Sequence, residues 1–186
     1  MHIWVLHMID RLRIITVLAA LFIPVQASAV GETAEGFMDF ALSRCIGPME
    51  NVKPADKSDM KLSARSAALV PGLSNSALVW ETKDGFFFMS IDLHATFDRC
   101  TLGLRDPDLR KVEAHHLVVI EDFKAQLAQW IADAKYTVEK QVEGDGRYEV
   151  KLESTIWREP RIEVVFVSDI NLGRLHIYVQ EINKEA

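Results

Sequence analysis

The chain has 186 residues, 49% of them hydrophobic, and 21 Lys and Arg against 27 Asp and Glu give it a formal net charge of −6. A core of that size folds without structural metals or a dense set of disulfides. An acidic chain with no basic run is a poor partner for nucleic acid, where cations must displace counterions from phosphates, and is equally ill suited to electrostatic docking on anionic lipid.

Arg11 and Arg13 precede an apolar run over residues 14–23, which is broken at Pro24 and closed by Ala27-Ser28-Ala29. A positive stretch, a short apolar stretch and an A-x-A site are the three parts of a secretory signal peptide. Residues 1–29 are therefore expected to be a cleaved signal, with the cut between Ala29 and Val30, and residues 30–186 a single globular domain. Residues 1–7 place apolar side chains ahead of the charges, so Met8 makes the better beginning. A spanning helix needs about 20 apolar residues, which this run does not supply, so no stable membrane anchor is expected. Cys45 lies too far beyond the small-residue site to be a lipid-bearing first residue. The expected location is the periplasm of a bacterium, or the medium. Losing Arg11, Arg13 and Asp10 moves the formal charge from −6 to −7.

Ala34, Phe37, Phe40 or Ala41, and Cys45 recur at three and four residues, which predicts an amphipathic helix over 32–45. Gly47 and Pro48 read as its stop. Residues 49–59 read as a surface loop and residues 61–70 as a short helix ended by Pro71-Gly72. The period then becomes two. Residues 77–82 and 86–93 flank Lys83-Asp84-Gly85 as a hairpin, and a third strand over 96–104 sets Cys100, Leu102 and Leu104 on one side. Asp106-Pro107-Asp108 opens a helical pattern that runs almost to Lys135, as one helix or as two that break near His115-His116. Strands follow from Tyr136, around the turn 143–146, then over 148–156, 162–170 and 174–182. The order is helix, three strands, helix, four strands. The fold class is α+β, two layers, with a mainly antiparallel sheet of six to seven strands and two main helices on one face. Each half is a helix followed by a meander, which hints at a duplicated unit.

The only two cysteines, Cys45 and Cys100, survive cleavage. In an oxidising compartment an even pair reads as a disulfide, here tying the first helix to the third strand. No C-x-x-C spacing marks them as redox-active.

Few residues suggest chemistry. Adjacent helical residues point about 100° apart, so His115-His116 cannot clasp one metal as an i, i+4 pair can. His116 falls on the apolar stripe and is expected in the core or at its boundary, with His115 exposed. Asp92 and His94 are two apart on a strand, hence on one face, with Asp98 following. They could form a base with its orienting acid, or two metal ligands; the reading preferred is a solvated strand end, because no nucleophile is marked nearby. Ser90 is the only hydroxyl in line and has no G-x-S-x-G around it. Gly144-Asp145-Gly146 sits between strands and reads as a turn, not a phosphate loop. Glu121-Asp122 reads as a wet helix face. Trp80, Trp130 and Trp157, with Phe86–Phe88, are expected to furnish the core before any ligand site. No metal or cofactor is expected, and no catalytic residue is assigned.

Export, small size, a cysteine staple and the lack of convergent polar groups point to a non-catalytic protein-binding module of the bacterial envelope, such as an inhibitor, immunity or accessory protein. The alternatives are a carrier of lipid or another small hydrophobe between helices and sheet, and a small envelope enzyme using Asp92 and His94. N-terminal sequencing of the exported form should read Val30 first; a form that keeps residues 14–23 would defeat the export reading.

Overall fold

A computed structural model describes residues 34, 36–63, 77–93, 98–106, 108–155 and 161–182. The expected signal peptide, its Ala29–Val30 junction, Met8, His94 and Trp157 lie outside these residues, as does most of the helix expected over 61–70.

The first helix, α1 (37–50), is not stopped by Gly47-Pro48. It runs as an α segment Phe37–Ala41, widens to a π segment Leu42–Ile46, and returns to an α turn Gly47–Glu50. Proline inside an α-helix removes a hydrogen bond and collides with the carbonyl four residues back. Widening the preceding turn offers a way around that collision, and the Gly47 N–H donates to Leu42 O in the π pattern. The Arg44 carbonyl, which Pro48 cannot serve, accepts from the Asp56 N–H at 2.9 Å.

The sheet has eight strands, one more than the sequence pattern suggested. Lys61 and Leu62, expected to begin a helix, form the short strand β1 (Lys61–Leu62) against β2 (Leu78–Glu81). Then follow β3 (Phe87–Leu93), β4 (Asp98–Leu104), β5 (Tyr136–Gly144), β6 (Arg147–Ser154), β7 (Arg161–Asp169) and β8 (Arg174–Ile182). Their spatial order is β1-β2-β3-β4-β8-β7-β6-β5, and every pairing is antiparallel. Two meanders thus meet at their last strands, β4 and β8, and the extra strand makes each half a helix followed by four strands. In the β5–β6 turn Asp145 (φ 51°) and Gly146 (φ 75°) both take positive φ, as a two-residue hairpin of this twist requires.

The helical pattern after Asp106 resolves into a 3₁₀ turn Leu109–Lys111 and one unbroken helix, α2 (Glu113–Ala132). The break falls at Val112, which is extended (φ −84°, ψ 110°), just ahead of the histidine doublet.

Both helices cover the same face. On it β4 presents Cys100 and Leu102 opposite Val179 and Ile177 of β8. Phe123 of α2 stacks on Phe166 of β7 with ring centroids 4.3 Å apart, and Phe37 of α1 meets Phe87 of β3 edge-on at 5.9 Å. Trp130 joins this core against Phe123 and Tyr136, whereas Trp80 is half-buried beneath Lys57. The free edges are guarded: β1 has only two residues, and β5 is largely exposed, carries Glu139, Lys140 and Glu143, and is irregular between Val138 and Lys140.

Cys45, in the π segment, and Cys100, in β4, lie at disulfide distance with Cα atoms 5.9 Å apart. A bridge across 55 residues is worth about 4 kcal/mol in the chain-entropy model. Cys45→Ser should therefore lower unfolding stability by about 2–4 kcal/mol in a urea titration. The parent protein should show no titratable thiol until it is unfolded and reduced.

Candidate functional site

Strand alternation gives the sheet a second face, and no described helix lies on it. β6 contributes Glu149, Lys151 and Glu153, β7 contributes Glu163, Val165 and Val167, and β8 contributes His176, Tyr178 and Gln180. Arg99, Thr101 and Gly103 of β4 continue the rows, with Phe88, Ser90 and Asp92 of β3 beyond them.

A polar relay crosses four strands on this face. Arg99 donates through Nε and Nη2 to Gln180 Oε1 at 2.9 and 2.6 Å. Gln180 Nε2 donates to Glu163 Oε1 at 3.0 Å, and Lys151 Nζ reaches Glu163 Oε2 at 2.7 Å. With strands about 4.8 Å apart, the relay spans about 15 Å and straddles the β4–β8 seam. The Arg99 guanidinium also lies 4.9 Å over the Tyr178 ring. The bond to Glu163 raises the Lys151 ammonium above its ordinary value. Burial raises the Tyr178 hydroxyl, and Glu163 adds to the effect. Both groups therefore keep their protons through the neutral range. Beside the relay, Lys140 and Arg147 both bind Glu149. Burial opposes ionisation of Glu149, but those two cations outweigh it and hold its carboxyl low.

The Asp92 carboxylate, expected to be solvated at a strand end, is instead 5% exposed on this face, and β3 is an interior strand paired on both sides. It stands opposite Arg99 in the register. Its proposed companion His94 lies outside the described residues, so the two are not placed together. Ser90 is fully buried two residues before Asp92, and its Oγ has no hydrogen-bond partner among the described residues. The Phe88 ring lies flat over Gly103, where an added Cβ would come within 2.6 Å of the ring.

His115 is not exposed. Only 2% of it is accessible, because the ring folds back onto the 3₁₀ turn, where Nδ1 lies 3.0 Å from Leu109 O. His116 is buried as expected, between Arg110 O and Ser168 Oγ. Among the described residues no group of three or more His, Cys, Asp or Glu is placed to hold a metal. Two hollows lie among the described residues. One of about 310 Å³ lies between α1 and α2 and sets Asp39 near Asp122, whose carboxyl is pushed up first by burial and then by that neighbouring charge. The other, about 400 Å³, lies at the ends of the β5–β6 and β7–β8 hairpins.

No family model, curated protein or solved structure matches the chain. The geometry of the face without a described helix carries the functional reading. Sequence reasoning missed Arg99, Gln180, Glu163 and Tyr178. The alternation that marks them as one face is visible in β6 and β8, but the partners lie up to 81 residues apart, and only the register joins them.

Removing Glu163 leaves both Gln180 and Lys151 short of an acceptor. Glu163→Ala should cost about 1–3 kcal/mol in chemical denaturation. Lys151→Ala, which leaves Oε2 of the buried Glu163 without its cation, should likewise cost about 1–3 kcal/mol.

Proposed function

We propose that this chain is an exported, non-catalytic module of the bacterial cell envelope that binds a protein partner through the sheet face on which no described helix lies. The observation that carries this reading is the relay Arg99–Gln180–Glu163–Lys151 with Tyr178 beside it. Arginine and tyrosine are favoured where proteins meet, and side chains already held by one another on strands lose little freedom on binding. Export rests on Arg11, Arg13, the apolar run and Ala27-Ser28-Ala29. The cysteine pair at disulfide distance is compatible with an oxidising compartment. No helix among the described residues is long and apolar enough to cross a membrane.

Against the carrier alternative, the space between helices and sheet is filled by side chains such as Phe37, Phe123, Phe166 and Leu102, each fully buried. The enzyme alternative keeps Ser90 and Asp92 as buried polar groups on one strand face, but has no described base beside them.

A photocrosslinking residue at position 178 should capture one discrete protein in the native envelope fraction, while the same residue at Leu117, exposed on α2, should not. Lys151→Glu should abolish the capture and Glu121→Lys should leave it intact. Equal capture from both positions, insensitivity to Lys151→Glu, or a stoichiometric lipid in the purified protein would overturn the reading.

A further inference from the structure

The histidine doublet does something that neither a metal site nor a packed core explains. A carbonyl oxygen only accepts, so the ring nitrogen facing it must carry the proton. His115 is therefore the Nδ1–H tautomer, donating to Leu109 O at 3.0 Å. His116 is the Nε2–H tautomer, donating to Arg110 O at 2.6 Å, and its Nδ1 accepts from the Ser168 hydroxyl of β7 at 2.7 Å. Neighbouring histidines in opposite tautomers thus grip two consecutive carbonyls of the 3₁₀ turn, and one of them ties that turn to the sheet.

We propose that His115 and His116 form an acid-released latch, which holds the β4–α2 connection against β7 at neutral pH and lets it open on acidification while the sheet stays intact. The groups around the latch favour this outcome. His116 is faced by Arg110 from the turn, by His115 on its own helix, and by Ser168 and Asp169 of β7. At the same end of the sheet, His176 of β8 is faced by Arg174 and the Tyr178 ring on its own strand, by Arg110 from the turn and by Glu149 of β6. Positive charge on His176 would meet the Arg110 guanidinium, which is itself only 8% exposed, whereas His116 meets the Arg110 carbonyl. A second proton on His115 would have to sit on Nε2, which is buried with no acceptor among the described residues.

The direction of the pH dependence follows. Burial holds His116 below the ordinary histidine value, with the His115 charge adding to the effect. Its neutral form belongs to the closed state, so the stabilisation is fully present above about pH 6.5 and is lost as pH falls below that value. Opening is local because the turn is short and sits at the end of the sheet, with Lys111 packed over Gly173, while the strands are held by full ladders.

Hydrogen exchange followed by mass spectrometry on the purified protein, corrected for intrinsic rates, tests the latch. Between pH 7 and pH 5 exchange in residues 108–116 should rise roughly tenfold relative to β6–β8. His116→Gln keeps an N–H near the Nε2 position but cannot gain a proton, so it should stay protected at pH 5. Loss of protection in 108–116 only together with β6–β8, no loss at all, or equal opening of His116→Gln at pH 5 would overturn the proposal. Should that variant not fold, imidazole nitrogen NMR of the parent decides: opposite neutral tautomers at pH 7 support the latch, and like tautomers or a charged ring refute it.

Discussion

The antiparallel pairing of β4 with β8 is the contact on which the two halves of this molecule depend. Each is the last strand of its meander, so the ladder Arg99↔Gln180 to Gly103↔His176 closes a loop of about 80 residues before it yields any hydrogen bond. Loop closure on that scale costs entropy that nothing local repays. The repayment comes from both sides of β4 at once. On the helix face Cys100 and Leu102 meet Val179 and Ile177, and Cys45 of α1 lies against Cys100 at disulfide distance. On the other face the double bond from Arg99 to Gln180 crosses the same seam.

That division explains why the two faces differ in character. The helix side is sealed by aromatic and aliphatic packing around Phe123 and Phe166. The side without a described helix carries the ionic relay. Arg99, Glu163 and Lys151 gain rigidity from one another, and Glu163, 5% exposed, is tolerated inside only because Gln180 and Lys151 serve its two oxygens. Removing water from such a carboxylate is costly unless it is paired in this way. Such a face fits the binding role we propose for it.

Much of this was legible in the sequence and some was not, for physical reasons that can be named. The alternation of Tyr148, Val150 and Leu152 against Arg147, Glu149 and Lys151 identified β6 and both its faces. Cys45 at the end of an apolar stripe and Cys100 in a strand of inward-facing residues foretold their meeting. Gly47-Pro48 misled because a stop signal presumes an α-helical turn before it, and a π turn accommodates proline. Lys61 and Leu62 misled because a two-residue edge strand has no period to detect. His115 looked exposed from its position on the helix wheel, but the wheel does not show a ring folding back onto a preceding turn. The relay was invisible because its members occur on four strands and become neighbours only through register.

The added turn of α1 shows how one such local departure serves the whole. Were the helix to end before Gly47, it would not carry Glu50. In the observed path Glu50 accepts from the Tyr136 hydroxyl at 2.6 Å and pairs with Lys135 at 2.8 Å, where α2 gives way to β5. Burial raises the Tyr136 hydroxyl far above its ordinary value and Glu50 raises it further, so this donor never loses its proton under folding conditions. The π segment makes that path possible. Gly47 sits so close to Leu42 O that a Cβ there would approach it to 2.8 Å, and a five-residue step in the same segment keeps Cys45 and Ile46 turned inward together with Phe37 and Ala41. One irregular turn thus sets Cys45 against β4 and Glu50 against the start of β5, and binds the first helix to both meanders.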